Sequence, residues 1–350
     1  MRVCIQNRGV GDGEPPFIIA EAGVNHNGRN ELALDLVDIA SKAGADAVKF
    51  QTFRTEELLI PSTEKAGYQK EATGSAETQY QMLKNLELPL EEFRDIAEYA
   101  ESRGLIFLST PTDTASVDLL NRLGVPAIKV ASGDLGNEGL LTHIAGTGKP
   151  VILSTGMATL GEIEEALGWL RQGGACEVIL LQCTSLYPTR ADQVNLRAME
   201  TLRGAFQVPV GLSDHTTGIS VPCAAAALGA SVIEKHFTAD KSLPGPDHRI
   251  SLDPKELAAM VAAVHEVHAA LGDGRKHPLA EELPNRKLVR RSLVAAEDIS
   301  QGTILTGDQV AVKRPGTGIP PKFLGKVVGM RSKRRIPRDT ILRWDFLEPR

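Results

Sequence analysis

Eight short apolar segments recur along the chain, and each of them ends in polar residues. Their composition is typical of buried β-strands, because apolar and β-branched side chains occupy consecutive positions. The polar groups at their ends are of kinds that bind ligands or catalyse reactions. The eight segments are FIIAEAG (17–23), AVKFQTF (47–53), LIFLSTP (105–111), AIKVASGD (127–134), PVILSTG (150–156), EVILLQC (177–183), PVGLSDH (209–215) and VIEKHF (232–237).

The segments between these predicted strands have the apolar spacing of amphipathic helices, as in residues 31–44, 91–104 and 160–174. Several of them end in glycine, which stops a helix because it accepts the left-handed conformation at low cost. Strand and helix alternate with short connections, which predicts parallel strands and right-handed crossovers. The pattern favours an α/β fold, a (β/α)8 TIM barrel with the polar groups at its C-terminal mouth. An open doubly wound sheet is the alternative.

The length and charge of the chain predict a further domain. The 350 residues exceed the roughly 250 of a plain barrel. Residues 281–350 hold 15 Lys+Arg and 8 Asp+Glu, whereas residues 1–280 hold 24 and 36. The C-terminal part also consists of short strand-like pieces separated by Gly and Pro. We predict a barrel domain over 1–277, a Pro-containing linker over 278–287 and a small, mainly β domain over 288–350.

Residues 54–90 form a connection much longer than the about two to six residues usual between a strand and the next helix. Because this segment follows the second strand, we expect it to lie over the mouth of the barrel. It is either a functional segment, that is, a lid or an oligomer contact, or an enlarged loop without a function of its own. The sequence does not separate these alternatives.

Global features of the sequence argue against several classes of protein. The chain has neither a run of about 18 apolar residues nor a basic and then apolar start, so we expect no membrane helix and no secretory signal. Cys4, Cys176, Cys183 and Cys223 are far apart, which indicates a reduced, cytoplasmic protein without a disulfide framework. A net charge of −5 and an aromatic content of 4% argue against a nucleic-acid partner.

Two histidines at neighbouring strand ends are the sharpest chemical feature. His215 ends the seventh segment and His236 lies near the end of the eighth, so a barrel would place them side by side. Two imidazoles with open positions for water and substrate suit a divalent metal such as Mn²⁺, Zn²⁺ or Fe²⁺. Either histidine alone is more often a hydrogen-bonded core residue, but their matched placement favours ligation. Asp214 and Glu234 are candidate partners for the imidazoles, or else structural groups.

Lysine, hydroxyl and carboxylate groups surround the same predicted mouth. Lys49 and Lys129 suit a phosphate or carboxylate, although lysines at strand ends also reach into water. Glu21 is a candidate general acid or base, or else a structural partner for a lysine such as Lys49 or Lys235. The nearby hydroxyls form a candidate cradle for an oxyanion: Ser109, Thr110, Ser132, Ser154, Thr155, Thr184, Ser185 and Ser213.

Several stretches together resemble the sialic acid synthase family. They include IIAEAGVNHNG, GADAVKFQTF, IKVASGD, LLQCTSLYPT, GLSDHTTGI and GASVIEKHFT, while VKRPGTGIPP and VVGM resemble that family's antifreeze-like (SAF) domain. The resemblance covers nearly the whole chain. It implies a transferase of carbohydrate or polysaccharide biosynthesis. This enzyme would condense phosphoenolpyruvate with N-acetylmannosamine by C–O cleavage, giving N-acetylneuraminate and phosphate.

The resemblance also implies roles for residues at matching positions. His215 and His236 would bind the divalent metal, first of all Mn²⁺, with Mg²⁺ or Co²⁺ as alternatives. Glu21, Lys49 and Lys129 would be catalytic, and the SAF domain of one protomer would cap its partner's barrel in a domain-swapped homodimer. Lys49, Thr110, Lys129, Ser132, Ser154, Ser185 and Ser213 would surround phosphoenolpyruvate, and Gln51, Tyr187, Asp247 and Arg314 would contact the sugar.

Two departures from the family's pattern leave the acceptor open. Leu186 stands before Tyr187, where many bacterial relatives have an acidic residue or Asn, and residues 109–113 read STPTD instead of STPFD. N-acetylmannosamine is the first expectation. A 2,4-diacetamido-trideoxy hexose, which would give a legionaminic or pseudaminic acid, comes next, and a 6-phosphorylated sugar third. A barrel synthase that uses a phosphosugar and a catalytically silent sugar-binding protein are the alternatives from other classes.

Overall fold

The computed structural model describes residues 1–175 and 177–350, so Cys176 lies outside the described residues. The chain divides into two compact units, Met1–Gly272 and Asp273–Arg350. Residues 278–287, which the sequence assigns to a linker, belong to the second unit, where a helix begins at Glu282. In the part of the chain that the structure describes, no helix combines the length and apolar character needed to span a membrane.

The first unit begins with an antiparallel hairpin of β1 (Arg2–Ile5) and β2 (Arg8–Gly11). Val3, Ile5 and Val10 pack against side chains of the barrel strands, among them Phe17 and Val232. Because these two residues begin their strands, the hairpin covers the N-terminal end of the barrel, opposite the mouth. The apolar pattern does not predict this hairpin, since strands of four residues are too short for a clear alternation.

Eight parallel strands form the sheet of the first unit, and each lies within one of the predicted segments. They are β3 (Phe17–Gly23), β4 (Ala47–Thr52), β5 (Ile106–Pro111), β6 (Ile128–Val130), β7 (Val151–Ser154), β8 (Val178–Cys183), β9 (Val210–Asp214) and β10 (Val232–His236). Their order is β5-β4-β3-β10-β9-β8-β7-β6, and β5 and β6 pack side by side. The predicted TIM-type barrel is confirmed as a nearly closed sheet, and the open doubly wound alternative is wrong.

Helices follow the strands, and their ends carry the expected signals. Thr159 and Glu162 cap one helix reciprocally, and Asp253 accepts hydrogen bonds from the first turn of another, which has Pro254 at its start. Gly44 ends the first helix in the left-handed conformation, with φ 80°. The helices of this unit are α1 (Asn30–Ala43), α2 (Thr55–Leu58), α3 (Gly67–Thr73), α4 (Gln79–Lys84), α5 (Glu92–Ser102), α6 (Thr114–Leu123), α7 (Glu138–Ala145), α8 (Leu160–Gln172), α9 (Ala198–Phe206), α10 (Ser220–Ala227) and α11 (Pro254–Leu271).

The long 54–90 connection contains the short helices α2, α3 and α4. An apolar cluster of Val24, Phe53, Met82 and Leu86 joins it to the barrel. Val24 and Phe53 directly follow the C-terminal ends of β3 and β4. The connection therefore lies at the mouth of the barrel, as the sequence predicts.

The second unit has short strands and an apolar core of its own. Its buried side chains include Leu293, Ile299, Leu305, Ile336 and Leu342. Two antiparallel pairs form its sheets, and α12 (Glu282–Val289) and α13 (Leu324–Val327) complete it. The strands are β11 (Ser292–Ala295) with β12 (Val310–Lys313) and β13 (Arg331–Ser332) with β14 (Leu347–Glu348). The prediction of a small, mainly β C-terminal domain is confirmed.

Candidate active site

A cavity of about 280 Å³ lies at the C-terminal ends of the barrel strands. Most of the site residues predicted from the sequence line it together, although they are far apart in the chain. The predicted residues in its wall are Glu21, Lys49, Gln51, Thr110, Lys129, Ser132, Ser154, Ser185, Tyr187, Ser213, His215 and His236.

Strand register brings the carboxylate, one lysine and one histidine together. In β3, Glu21 is opposite Lys49 of β4 on one side and opposite His236 of β10 on the other. Lys49 Nζ lies 2.7 Å from Glu21 Oε2, and both side chains are 3% exposed. The same ammonium donates to Thr110 Oγ1 at 2.9 Å. Glu21 therefore has the structural lysine partner that the sequence offers, and it also lies where a catalytic role requires it.

Glu234 is the central negative charge of the cavity, although it is missing from the predicted ligand and catalytic residues. Its Oε2 lies 3.9 Å from Lys49 Nζ, and its Oε1 lies 3.7 Å from Lys129 Nζ. Ser213 Oγ donates to Oε1 at 2.7 Å. Burial tends to raise the pKa of Glu234, but Lys129 and Lys49 outweigh burial and hold that pKa below its usual value. Glu234 is thus an ionised carboxylate that offsets two buried lysines.

A second buried ion pair occupies the alternate face of β9 and β10. Lys235 Nζ lies 2.5 Å from Asp214 Oδ2, and both side chains are 1% exposed. The backbone N–H and the hydroxyl of Thr216 also donate to Asp214, at 3.0 and 2.9 Å. The role of imidazole partner proposed from the sequence for Asp214 is therefore wrong, since this carboxylate is engaged by Lys235 and Thr216. Its alternative, a structural role, is correct.

Lys129 of β6 directs its ammonium into the cavity. Its Nζ donates to Ser154 Oγ at 2.6 Å and to the Val130 carbonyl at 3.0 Å. Burial lowers the pKa of Lys129, because the charged form loses its water, and nearby Glu234 offsets only part of this effect. Together with Lys49, it presents two compact cationic groups to whatever enters the cavity. Two such cationic groups suit a phosphate or a carboxylate.

The turn after β7 brings the backbone close to two of the predicted serines. The N–H of Gly156 donates to Ser132 Oγ at 2.9 Å. A Cβ at this position would lie 2.3 Å from Ser185 Oγ, 2.8 Å from Ser132 Oγ and 3.3 Å from Cys183 Sγ. Glycine is therefore required for this close approach. The Cys183 thiol is a further group of the cavity, one that the sequence gives no reason to select.

His215 and His236 lie side by side, with ring centroids 5.5 Å apart. His215 Nδ1 lies 2.9 Å from the carbonyl oxygen of Thr184, so Nδ1 carries the proton and Nε2 keeps its lone pair. His236 Nδ1 is buried and finds no hydrogen-bond partner among the described residues. Burial lowers the pKa of both imidazoles, that of His236 well below its usual value. Both rings are therefore neutral, the state that metal binding requires.

The protein groups near these histidines suit a metal that receives only part of its ligands from the protein. Within residues 1–175 and 177–350, no group of three or more His, Cys, Asp or Glu side chains is arranged to hold an ion. Two neutral imidazoles supply two nitrogen ligands, and water and substrate would complete the coordination. The lone pair on His215 Nε2 and the orphaned nitrogen of His236 fit such a partial site.

The carboxyl group of Glu21 titrates near neutral pH. Burial raises its pKa to about 7, against the attraction of Lys49 and with a contribution from the negative charge of Glu234. A group with this pKa can accept a proton and return it at physiological pH. The two carboxyl groups on neighbouring strands β3 and β10 thus suit different tasks: Glu21 for proton transfer, and Glu234 as a permanent counter-charge.

The residues predicted to contact the sugar are not all in the cavity wall. Gln51 and Tyr187 line the cavity, and the ring of Tyr187 lies 4.1 Å from that of His215. Asp247 is 7% exposed, and burial raises its pKa to about 6. Burial raises the pKa of Tyr187, and Cys183, Tyr68 and Asp247 contribute to the rise. Arg314 is exposed in the second unit, directly after β12, so its contact with the sugar stays a prediction.

Comparison with known proteins identifies the family. Residues 36–276 match the NeuB family, and residues 290–348 match the SAF domain. This chain belongs to the NeuB family. The resemblance to sialic acid synthases found in the sequence is thereby confirmed.

Relatives of this NeuB-family chain include named synthases. The N,N'-diacetyllegionaminic acid synthase of Legionella pneumophila is 46% identical over 336 residues, which are 95% of this chain and 94% of that protein. The protein of the same name from Campylobacter jejuni is 48% identical over 317 residues, 89% of this chain and 95% of that one. The solved N-acetylneuraminic acid (sialic acid) synthetase of Leptospira borgpetersenii, in complex with citrate, is 38% identical. Its TM-score is 0.72, over 81% of this chain and 95% of that one.

Two features of the NeuB-family site are not predicted from the strand ends: the role of Glu234 as counter-charge to the lysines, and the contact made by Tyr68. Glu234 lies two residues before His236, so strand alternation puts both on one face, and this spacing was the available signal. Tyr68 of α3 stacks on Tyr187 with ring centroids 4.9 Å apart. The spacing of residues in the strands does not predict Tyr68, because this residue lies in the long 54–90 connection.

Proposed function

We propose that this protein is a nonulosonic acid synthase that condenses phosphoenolpyruvate with an N-acylated aminosugar and releases phosphate. The observation that carries the proposal is the pair of buried lysines, Lys49 and Lys129, in a cavity shared with Glu21 and two neutral histidines. Phosphoenolpyruvate carries a phosphate and a carboxylate, and it therefore needs cationic groups that a neutral sugar does not. The named relatives support the same class of reaction.

The acceptor that we propose is a 2,4-diacetamido-trideoxy hexose, which would give a legionaminic acid. The two N,N'-diacetyllegionaminic acid synthases share more of this sequence than the sialic acid synthetase does. N-acetylmannosamine, the first expectation from the sequence, becomes the second candidate. Tyr187 lines the cavity and is available to contact either sugar.

The lysines would hold phosphoenolpyruvate in a fixed orientation. Thr110 and Ser154 each accept a hydrogen bond from one ammonium, at 2.9 and 2.6 Å, so both cations have a set direction. Glu234 lies within 4 Å of both ammonium groups and offsets their mutual repulsion. These preset charges would stabilise the negative charge that develops as phosphate departs.

The reaction forms one C–C bond and breaks one C–O bond. C3 of phosphoenolpyruvate attacks the aldehyde carbon of the open-chain sugar, whose oxygen takes up a proton from solvent to become a hydroxyl. A water oxygen bonds to C2, and Glu21 takes a proton from that water, a role supported by its pKa of about 7. As the C2–O bond to phosphate breaks, the new hydroxyl on C2 gives its proton to the departing phosphate, which leaves the 2-keto acid and inorganic phosphate. Glu21 returns its proton to solvent.

We propose His215 and His236 as ligands of a divalent metal, Mn²⁺ first, with Mg²⁺ or Co²⁺ as alternatives. Such an ion supplies Lewis-acid polarisation of the sugar's carbonyl group. The neutral state of both rings supports ligation, because burial lowers the pKa of each. Thr184 holds the ring of His215 in place through Nδ1, as second partners of ligating histidines do.

We also propose a domain-swapped homodimer in which Arg314 of one protomer reaches the sugar site of its partner. Every residue of α12 is exposed, and its Leu288 is 64% exposed. Loops around the mouth of the barrel also expose apolar side chains, with Met157 at 75% and Leu186 at 46%. Exposed apolar surface of this kind marks interaction sites. Light scattering should give twice the chain mass, and a monomer at micromolar concentration would contradict the dimer.

Phosphate release from phosphoenolpyruvate tests the proposed function. The purified full-length protein, loaded with Mn²⁺, is given a 2,4-diacetamido-trideoxy hexose, N-acetylmannosamine or its 6-phosphate in separate reactions. Release that depends on the first sugar confirms the proposal, and release with another sugar corrects only the acceptor. No release with any of them, at confirmed metal occupancy, would contradict the synthase.

Glu21→Gln tests the role of the carboxyl group within that reaction. Turnover should fall by about a hundredfold or more, the usual contribution of a general acid or base. Binding of phosphoenolpyruvate, measured by calorimetry, should change little because both lysines remain. Normal turnover would remove Glu21 from the mechanism. Glu165→Gln, at an exposed position on α8, is the matched control.

A further inference from the structure

The 54–90 connection brings an aromatic ring to the wall of the site. Tyr68 stacks on Tyr187 with ring centroids 4.9 Å apart and planes inclined by 22°. Tyr187 lies 4.1 Å from the ring of His215, and His215 lies 5.5 Å from His236. These four rings form a continuous column from the histidine pair to α3.

Interactions inside the connection make residues 63–79 a folded unit. The buried ammonium of Lys65 lies 2.9 Å from Glu77 Oε1. The N–H of Gln79 donates to the Thr63 carbonyl at 2.9 Å, which joins the two ends of the segment. Tyr68 therefore belongs to a segment that its own hydrogen bonds and ion pair hold together, and the position of the whole segment sets the position of the ring.

The ring of Tyr68, and not its hydroxyl, is the group directed to the site. The hydroxyl oxygen accepts a hydrogen bond from Gln69 Nε2 at 3.3 Å, inside the same segment. The ring packs on Tyr187, which is thus bracketed by Tyr68 and His215. Fixing a ring between two others restricts its rotation, and a stacked aromatic pair adds to stability beyond its buried area.

We propose that Tyr68 is a positioning residue for the acceptor sugar: its ring fixes Tyr187 in the cavity wall beside the histidines. This proposal rests on the proposed function for the identity of the acceptor. The column lies on the histidine side of the cavity, and its two tyrosine rings, Tyr68 and Tyr187, are uncharged aromatic groups that suit the uncharged sugar. The lysines provide the separate, cationic surface for phosphoenolpyruvate. Loss of the Tyr68 ring should therefore affect the sugar selectively.

Steady-state kinetics of the metal-loaded full-length protein tests this selectivity. Tyr68→Leu should raise KM for the acceptor about three- to tenfold, the equivalent of one aromatic pair, and change KM for phosphoenolpyruvate less than about twofold. Tyr68→Phe keeps the ring and should stay within about twofold of the wild type for both substrates. Tyr80→Leu, on α4 of the same connection, is the control, because Tyr80 is not among the residues that line the cavity.

Three kinetic outcomes would overturn the proposal. They are an unchanged acceptor KM in Tyr68→Leu, a parallel rise of both KM values, and an equal effect of Tyr68→Phe. Hydrogen exchange of residues 184–190 in the same variants gives a readout independent of turnover. Tyr68→Leu should speed exchange there at least about threefold, whereas the Phe and Tyr80 variants should not. If the wild type shows no synthase activity, unchanged exchange in Tyr68→Leu would still refute the positioning of Tyr187.

Discussion

Replacing Glu234 by glutamine should destabilise the protein and increase the stabilisation that an anion provides. Glutamine has nearly the same size, and its amide oxygen can still accept the hydrogen bond that Ser213 Oγ donates at 2.7 Å. The substitution removes a negative charge 3.9 Å from Lys49 Nζ and 3.7 Å from Lys129 Nζ. It therefore tests charge without creating a cavity.

The distances set the size of the expected effect. At an effective dielectric constant of about 20, each of these charge pairs interacts by about 4 kcal/mol. The glutamine variant no longer has to desolvate a carboxylate, which offsets part of the lost attraction. Breaking a buried ion pair on one side typically costs about 3–5 kcal/mol. We therefore expect the free energy of unfolding to fall by about 3 kcal/mol.

Urea unfolding followed by circular dichroism measures this loss. Glu165→Gln, on the exposed face of α8, should stay within about 0.5 kcal/mol of the wild type. Phosphoenolpyruvate or inorganic phosphate should stabilise Glu234→Gln more than the wild type, because a bound anion replaces the missing charge. Equal unfolding curves for Glu234→Gln and the wild type would refute the role of Glu234 as counter-charge. If the anion stabilised Glu234→Gln and the wild type equally, that result would refute binding of the anion beside the two lysines.

Three further predictions concern the metal, the phosphate cradle and a buried acid. His236→Ala should weaken Mn²⁺ binding, measured by electron paramagnetic resonance, at least about tenfold, whereas the exposed His143→Ala should not; equal binding would contradict ligation. Gly156→Ala should raise KM for phosphoenolpyruvate at least about tenfold, because its Cβ collides with two serine hydroxyls. Gly204→Ala, at an exposed position on α9, is the control, since an added Cβ there meets nothing within 4 Å beyond its own helix and chain neighbours; equal KM values in the two variants would exclude the collision. Asp247 has a pKa raised from 3.8 to about 6, so the wild type loses stability as pH rises through that range. Asp247→Asn should therefore gain about 3 kcal/mol over the wild type between pH 4 and pH 7, and a difference in urea midpoints that does not change with pH would contradict this.

The barrel could be predicted because its strands are buried on both sides, which makes each one a continuous apolar run. The site followed from the same pattern, since parallel strands bring their C-terminal residues to one mouth. Glu234 was within reach, because side chains alternate along β10 and His236 was already assigned. The stacking of Tyr68 on Tyr187 could not be predicted, because it depends on how the long connection folds over the mouth. Nothing local in the sequence encodes such a contact.

The two buried acids of β9 and β10, Asp214 and Glu234, both lie near lysines but differ in their hydrogen bonding. Asp214 forms an ion pair with Lys235 and accepts hydrogen bonds from the backbone N–H and the hydroxyl of Thr216. Both of its oxygens therefore have partners within the protein. On the other face, Glu234 Oε2 and His236 Nδ1 are buried without hydrogen-bond partners among the described residues. Unpaired buried polar atoms are costly, and folding alone gives no reason to keep them. Because Glu234 and His236 line the cavity, we expect bound ligands to supply the missing partners on this face of β10.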